Sequence, residues 1–568
     1  MFAQNLFYVA FGDHDVSPNG KKKNNKPIKY LDIIGKLASC FNRPQQVLKM
    51  LRSIYFLNPF YLLLVYLVCT PGRMEAQSNR AADEKLSVAA LSGDLDILRE
   101  VLETVHPGLY RYTSKEKMDE LFTEAKNKLS APLTEIEFYR AINPIIVSIR
   151  DEHTFALPSA NWWKTEVGQT AYANQGRPAK GKLFPFFIRL MGQRMFIENN
   201  MSENTFLNAG DEIVSINGKP ISEVLDILLP TIPTNGYIET FRYRHLEQFS
   251  LNQTYNRFMI HYAIFIGSPD FFELKIKKVS GELTNVSVNA LPSAVIFNNY
   301  WRRYSTVNDS KKRKENPLEF KIAGKRGAYI RLSAFHNPVW VKYNYSHSTE
   351  FRTIFKHIAD NDIRNLVIDL RGNEGGNPAI GMELLQYLCT ASYRPYNYHI
   401  VKNYRFPALK KYFRDSTSAP SYPDELFIRT EDGNYRSDTN YRSESWSRFM
   451  QPAINHYTHK LYVLIDGATG SAASILATLI RVNRKDAIFI GEECGGDMEG
   501  PISGGGTDIV LPNSGITVDI PFIKRMINLN GFTITKGRGV MPDHQVSIKP
   551  DDLVTGNDRV LNFTLKLF

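Results

Sequence analysis

Apolar and polar positions alternate in three distinct rhythms along this chain. From Glu84 to about Arg150 the rhythm is helical. "LDILREVLETVHPGLYRY" carries apolar residues at i, i+3, i+4 and i+7 and stops at His106-Pro107-Gly108. "KMDELFTEAKNKL" and "TEIEFYRAINPIIVSIR" predict two more amphipathic helices, the second opened by a Thr134/Glu137 capping box. From Leu183 to Lys278 the rhythm changes to that of strands. "FPFFIRL", "RMFIENN" and "DEIVSING" predict a meander. Asn217-Gly218 marks a hairpin, because both residues tolerate positive φ. Pro220 ends that strand, and "SEVLDILLPTI" predicts a helix.

From Ala328 onward, short apolar runs alternate with helical patterns. "GAYIRLSAF", "RNLVIDL", "HKLYVLID" and "DAIFIG" predict strands; "TEFRTIFKHIA", "PAIGMELLQYL" and "SAASILATLIRV" predict helices. Such alternation predicts a parallel or mixed α/β sheet covered on both faces. "NDSKKRKE" (308–315) reads as an exposed charge run between domains. Residues 402–452, rich in Tyr, Arg, Ser and Asp, read as an insertion over one face. No 20–50-residue repeat is visible.

At 568 residues, 43% hydrophobic and 22% charged, the chain is globular and long enough for about three domains. Its net charge of +11 is uneven: +6 falls within residues 1–76. A nucleic-acid binder would carry that excess on its folded part, so this class is set aside. Cys40, Cys69, Cys389 and Cys494 form no CxxC pair or Cys/His cluster, which argues against a zinc site or a disulfide framework. Whether Cys389 and Cys494 pair is open at this level. Lys49 and Arg52 precede the apolar stretch within residues 50–76, a segment that ends on a small residue, Ala76. That is the pattern of a signal peptide on an exported protein, bound for the periplasm, cell envelope or medium. A membrane anchor follows only if the segment stays uncleaved. Met50 would serve as a start, leaving residues 1–49 as a possible over-long extension.

Two stretches carry candidate chemistry. "LYVLIDGATGSAASILATLI" runs from an apolar strand through small residues to Ser471 and a helix. A turn there lies at the carboxyl edge of a sheet, where ligands collect in α/β proteins. Free N–H groups at a helix N-terminus stabilise developing negative charge. The competing reading is that Ser471 merely caps its helix. "NLVIDLRGNEGGNPAIGMELL" is a second strand, glycine turn and helix. It lacks the Gly-Lys-Ser/Thr of a Walker loop and the GxGxxG of a dinucleotide loop. An oxyanion hole fits it: one N–H from this turn, another from Ala472.

"VIDLRGNEGGN", "LYVLIDGATGSAAS", "IFIGEECGG" and "GRGVMPD", in that order, resemble the tail-specific (C-terminal processing) serine peptidase family. "GDEIVSINGKPI" resembles part of its PDZ-like domain, "LPNSGITVDIP" a late hairpin of the family, and "RDEHTFALP" the Asp-x-His-Thr segment of its tricorn-like branch. The resemblance implies a ClpP/crotonase-like ββα catalytic domain over 320–568. It also implies an N-terminal helical domain over 84–157 and a PDZ-like, mostly β domain over 180–290. It implies Ser471 as nucleophile, backbone oxyanion donors at Gly375, Gly376 and Ala472, protein or peptide substrates, and no metal or cofactor.

Many family members pair the serine with a lysine, but Asp497 stands at that position here. A serine hydroxyl needs a base. His153 is the first candidate and Lys536 the second, with Asp151 and Glu152 as orienting groups. Lys536 stands where the tricorn-like branch would have a glutamate. An inactive peptide-binding homologue and a serine esterase or acyltransferase are the rival readings.

Overall fold

In the computed structural model, the apolar runs after Ala328 become the inner strands of a six-stranded sheet. Its order is Leu318–Ile322, Gly327–Leu332, Asn365–Asp369, Lys460–Ile465, Ile488–Gly491 and His544–Gln545. The first pair is antiparallel and all later pairs are parallel. The described residues are 81, 83–159, 162, 182–247, 257–304, 316–414, 426–431, 433–437, 449–504 and 507–568. The extension and signal segment expected over residues 1–76, the charge run 308–315 and parts of the 402–452 insertion lie outside them.

The strand sequences read as unbroken apolar runs because both sheet faces are buried. Leu366, Ile368, Val463, Ile465 and Phe489 belong to a core shared with the helices Pro378–Leu388 and Ser471–Asn483. Their neighbours Val367, Tyr462, Leu464 and Ile490 face the other way, against Val560 of the helix Arg559–Leu565. Both residue sets follow the two-residue period of a strand. Register pairs Ile368 with Val463 and Asp369 with Leu464. The two following turns therefore leave the sheet side by side, from one carboxyl edge.

The helical stretch forms Val88–Val105, Lys115–Asn127 and Glu135–Ser148. Both bonds of the Thr134/Glu137 capping box are present. Downstream, five antiparallel strands run in the order Phe186–Met191, Arg194–Asn200, Glu212–Ile216, Phe271–Lys277 and Leu283–Asn289. Asn217 and Gly218 turn at φ 49° and 76°, as their types predict, and the helix Ile221–Leu228 follows.

The helices, this sheet and the late hairpin Thr507–Val510/Thr517–Ile520 share one continuous apolar cluster. The hairpin strand Thr517–Ile520 also pairs with Phe155–Leu157, directly after Glu152-His153-Thr154. This pairing draws the end of the helical stretch toward the six-stranded sheet. Within the insertion, Phe427–Arg429 and Tyr435–Ser437 join Tyr396–Val401 and Ile523–Ile527 in a four-stranded antiparallel sheet. Cys389 and Cys494 are buried free thiols.

Candidate active site

Two strand–turn–helix units meet at the carboxyl edge of the six-stranded sheet. Backbone and side-chain bonds tie their turns together. Gly470 N donates to Asn373 O at 3.0 Å, and Thr469 Oγ1 donates to Leu370 O at 3.0 Å. Half-buried Asp466 accepts from Gly372 N and Ala468 N, both at 3.0 Å. Asn373, fully buried, donates through Nδ2 to Leu332 O and accepts from Gly375 N at 2.9 Å.

Ser471 opens its helix at φ 45°, a left-handed conformation that costs a residue with a Cβ about 1–2 kcal/mol. Gly470 occupies the cap position, with no side-chain cap bond. The reading of Ser471 as a helix cap is thus displaced: its hydroxyl turns instead toward His153, with Oγ 3.0 Å from Nε2. These residues lie 318 positions apart.

His153 is held by its own segment. Its backbone N–H donates to Asp151 Oδ1 at 3.3 Å. Its ring Nδ1 is buried, makes no hydrogen bond among the described residues, and lies 3.7 Å from Asp151 Oδ1 and 3.9 Å from Glu152 Oε1. Those separations exceed hydrogen-bond length, so both carboxylates act on the ring chiefly through charge. Burial by itself lowers the proton affinity of His153. The Asp151 interaction and the charges of Glu152, Asp151 and Asp519 outweigh it and hold the imidazole above its ordinary value.

Asp151 is anchored behind the ring. His106 Nδ1 accepts from Gly108 N, so its Nε2–H is the donor; it reaches Thr154 Oγ1 at 3.1 Å and Asp151 Oδ2 at 3.3 Å. Thr154 Oγ1 donates to Asp151 Oδ2 at 2.6 Å. Burial would raise the Asp151 carboxyl, but the bonds and charges of His106 and His153 keep it below the usual range. Glu152 accepts from Ser471 N at 3.3 Å, and its own N–H donates to Asn235 Oδ1 at 3.2 Å. Burial pushes the Glu152 carboxyl up, with Asp151 adding and His153 opposing. On the hairpin, burial and facing Asp508 push Asp519 up to about 7. His106 and Asn235 carried no motif signal, and Asp519 lay in the late-hairpin motif with no role assigned; only folding places them here.

The expected oxyanion donors separate. Gly375 N–H is taken by Asn373 Oδ1. Among the described residues, the N–H groups of Gly376 and Ala472 have no acceptor. Gly375 instead supplies space: a Cβ there would lie 2.5 Å from Ala472 N and 2.8 Å from Ser471 Cβ. Lys536 is exposed, with Nζ 5.8 Å from the Tyr112 ring centroid, and makes no hydrogen bond to Ser471. Asp497, at the position of the family lysine, is buried and accepts from Tyr112 Oη at 2.8 Å and Arg111 Nη2 at 3.2 Å. It ties the helical stretch to the core and stands as a structural ion pair.

A cavity of about 420 Å³ opens beside Ser471 and His153, walled also by Tyr139, Phe155, Arg257 and Ile260. Among the described residues no three His, Cys, Asp or Glu side chains are grouped to hold a metal. An imidazole in contact with a serine hydroxyl at a helix N-terminus can remove its proton and start nucleophilic attack.

Residues 326–546 match the family model for Peptidase family S41. No curated protein matches the chain in sequence. In fold the chain is similar to mature CPAF, at 14% identity and TM-score 0.56, covering 84% of this chain and 96% of that one. Mature CPAF complexed with lactacystin matches at 14% identity and TM-score 0.56, covering 84% and 97%. At such identities the likeness is one of fold.

Ser471→Gly should be more stable than Ser471→Ala by about 1 kcal/mol in denaturant melts, because glycine relieves the positive φ. Equal stabilities would contradict a strained turn. By NMR, the His153 ring should titrate above about 6.5, and Asp151→Asn should move that midpoint down. Stability from protonated His153 is present below the unfolded value and is lost as pH rises through the higher folded value.

Proposed function

Residues 326–546 belong to the tail-specific serine peptidases of family S41, and on that premise we propose that Ser471 is the nucleophile and His153 the general base. The chain is a serine-type peptidase acting on protein substrates. The observation that carries the assignment is the 3.0 Å contact between His153 Nε2 and Ser471 Oγ. His153 takes the hydroxyl proton as Oγ attacks the scissile carbonyl, then returns it to the leaving amine. The N–H groups of Ala472 and Gly376 receive the oxyanion, helped by the positive end of the serine helix. Asp151 is a positioning residue: it holds the His153 backbone and favours the imidazolium that forms during attack.

The helices Val88–Ser148 support an N-terminal helical domain. The antiparallel sheet Phe186–Asn289 with its helix Ile221–Leu228 supports a PDZ-like domain. Such a domain would take an extended peptide at a sheet edge. The basic-then-apolar pattern of residues 50–76 supports an exported enzyme of the periplasm, cell envelope or medium.

The test is cleavage of an unfolded protein, followed by mass spectrometry. Ser471→Ala and His153→Ala should each lower kcat/KM by a factor on the order of 10⁴, while Lys536→Ala stays within about twofold of wild type. Undiminished cleavage by Ser471→Ala would sink the assignment. Because a general base must be neutral, cleavage should fall as pH drops through the raised His153 value, and Asp151→Asn should shift that acid limb downward.

A further inference from the structure

The cavity beside Ser471 holds a cation that the proposed chemistry does not use. Arg257, at the start of the helix Arg257–Phe265, lines the same cavity as Ser471 and His153. Its guanidinium donates to the His245 ring, and among the described residues it has no carboxylate partner. Of the acids on the cavity wall, Glu152 accepts from Ser471 N, and Glu374 stands exposed in the glycine turn; neither is paired with Arg257.

The imidazoles beside Arg257 do not answer its charge. His245 and His261 are pushed down by burial first and by Arg257 next, His261 to about 3, so both stay neutral. Thr231 Oγ1 donates to Leu228 O at 2.6 Å, so it accepts from His261 Nδ1 at 3.0 Å. That bond fixes the His261 ring beside the cavity. Tyr139, Phe155, Ile260 and Ile264 supply apolar wall. A guanidinium with donors that no described carboxylate takes, set in such a wall, favours a carboxylate, which it can bind through two parallel N–H···O bonds.

Resting on the reading of Ser471 as nucleophile, we infer that Arg257 selects substrates with an aspartate or glutamate side chain next to the scissile bond. The cavity is continuous with the nucleophile, so a side chain flanking the attacked carbonyl enters it. A neutral side chain there leaves the guanidinium without an anion, which costs binding in the transition state.

The full chain would be given peptide mixtures and its cleavage sites mapped, with Ser471→Ala as blank. Asp and Glu should be enriched beside Ser471-dependent cleavage sites. Matched Glu and Gln peptides should differ by about 10–100-fold in kcat/KM, and Arg257→Gln should collapse that ratio toward one. Arg257→Glu should turn the preference to Lys, a gain that misfolding cannot produce. Ser471-dependent cleavage without acidic enrichment, or a ratio that Arg257→Gln leaves intact, overturns the inference while sparing the peptidase. So does a preference that follows a free chain terminus. Absence of Ser471-dependent cleavage would instead defeat the nucleophile. The cavity is then read by peptide binding to Ser471→Ala, where Glu peptides must still bind more tightly than Gln peptides.

Discussion

The active edge of this protein depends on how closely two turns approach each other. At Gly375, φ 90°, there is no room for a side chain between the glycine turn and the amide of Ala472. Any residue with a Cβ would wedge the serine turn away from its neighbour. With glycine there, Asn373 ties the glycine turn to Gly470, and the same contact keeps Ser471 in its strained conformation. The strain is sustained by a set of backbone bonds that leaves the turn no alternative path. The N–H groups of Gly376 and Ala472, without acceptors among the described residues, are a product of this geometry.

A second layer is electrostatic. His153 sits among carboxylates that are themselves costly to bury. Asp151 is stabilised by a chain of donors that begins at the backbone of Gly108 and passes through His106 and Thr154. The helical stretch therefore contributes more than packing. It supplies the residues that set the charge around the imidazole, and through Arg111 and Tyr112 it is bolted to Asp497. The acid at the family's lysine position thus joins parts of the fold, while the imidazole that meets Ser471 comes from a segment 318 positions away.

A cavity with opposed charge follows from the same arrangement. One wall carries Glu152 and Glu374 beside the serine; the segment Thr231–Ile264 adds Arg257 and neutral imidazoles. The serine–imidazole pair and the cavity's guanidinium thus come from different stretches of chain.

Strand and helix positions were legible in the sequence because they depend on period and on neighbours a few residues away. Pro378–Leu388, the Thr134/Glu137 box and the Asn217-Gly218 turn are examples. Ser471 and the glycine turn could be singled out for the same reason: each is a local strand–turn–helix pattern. His153 was legible only through the company its motif keeps, Asp519 only as part of a hairpin motif without a role, and Arg257 and His106 not at all. Their roles come from contacts across tens to hundreds of residues, which no local pattern records. Likewise, the motif offered Gly375 and Gly376 as equal oxyanion donors, and only a hydrogen bond from the first to Asn373 separated them. The sequence by itself determined the elements and the small residues at their turns. The tertiary structure alone decided which side chains meet, because burial and charge act between surfaces that only folding brings together.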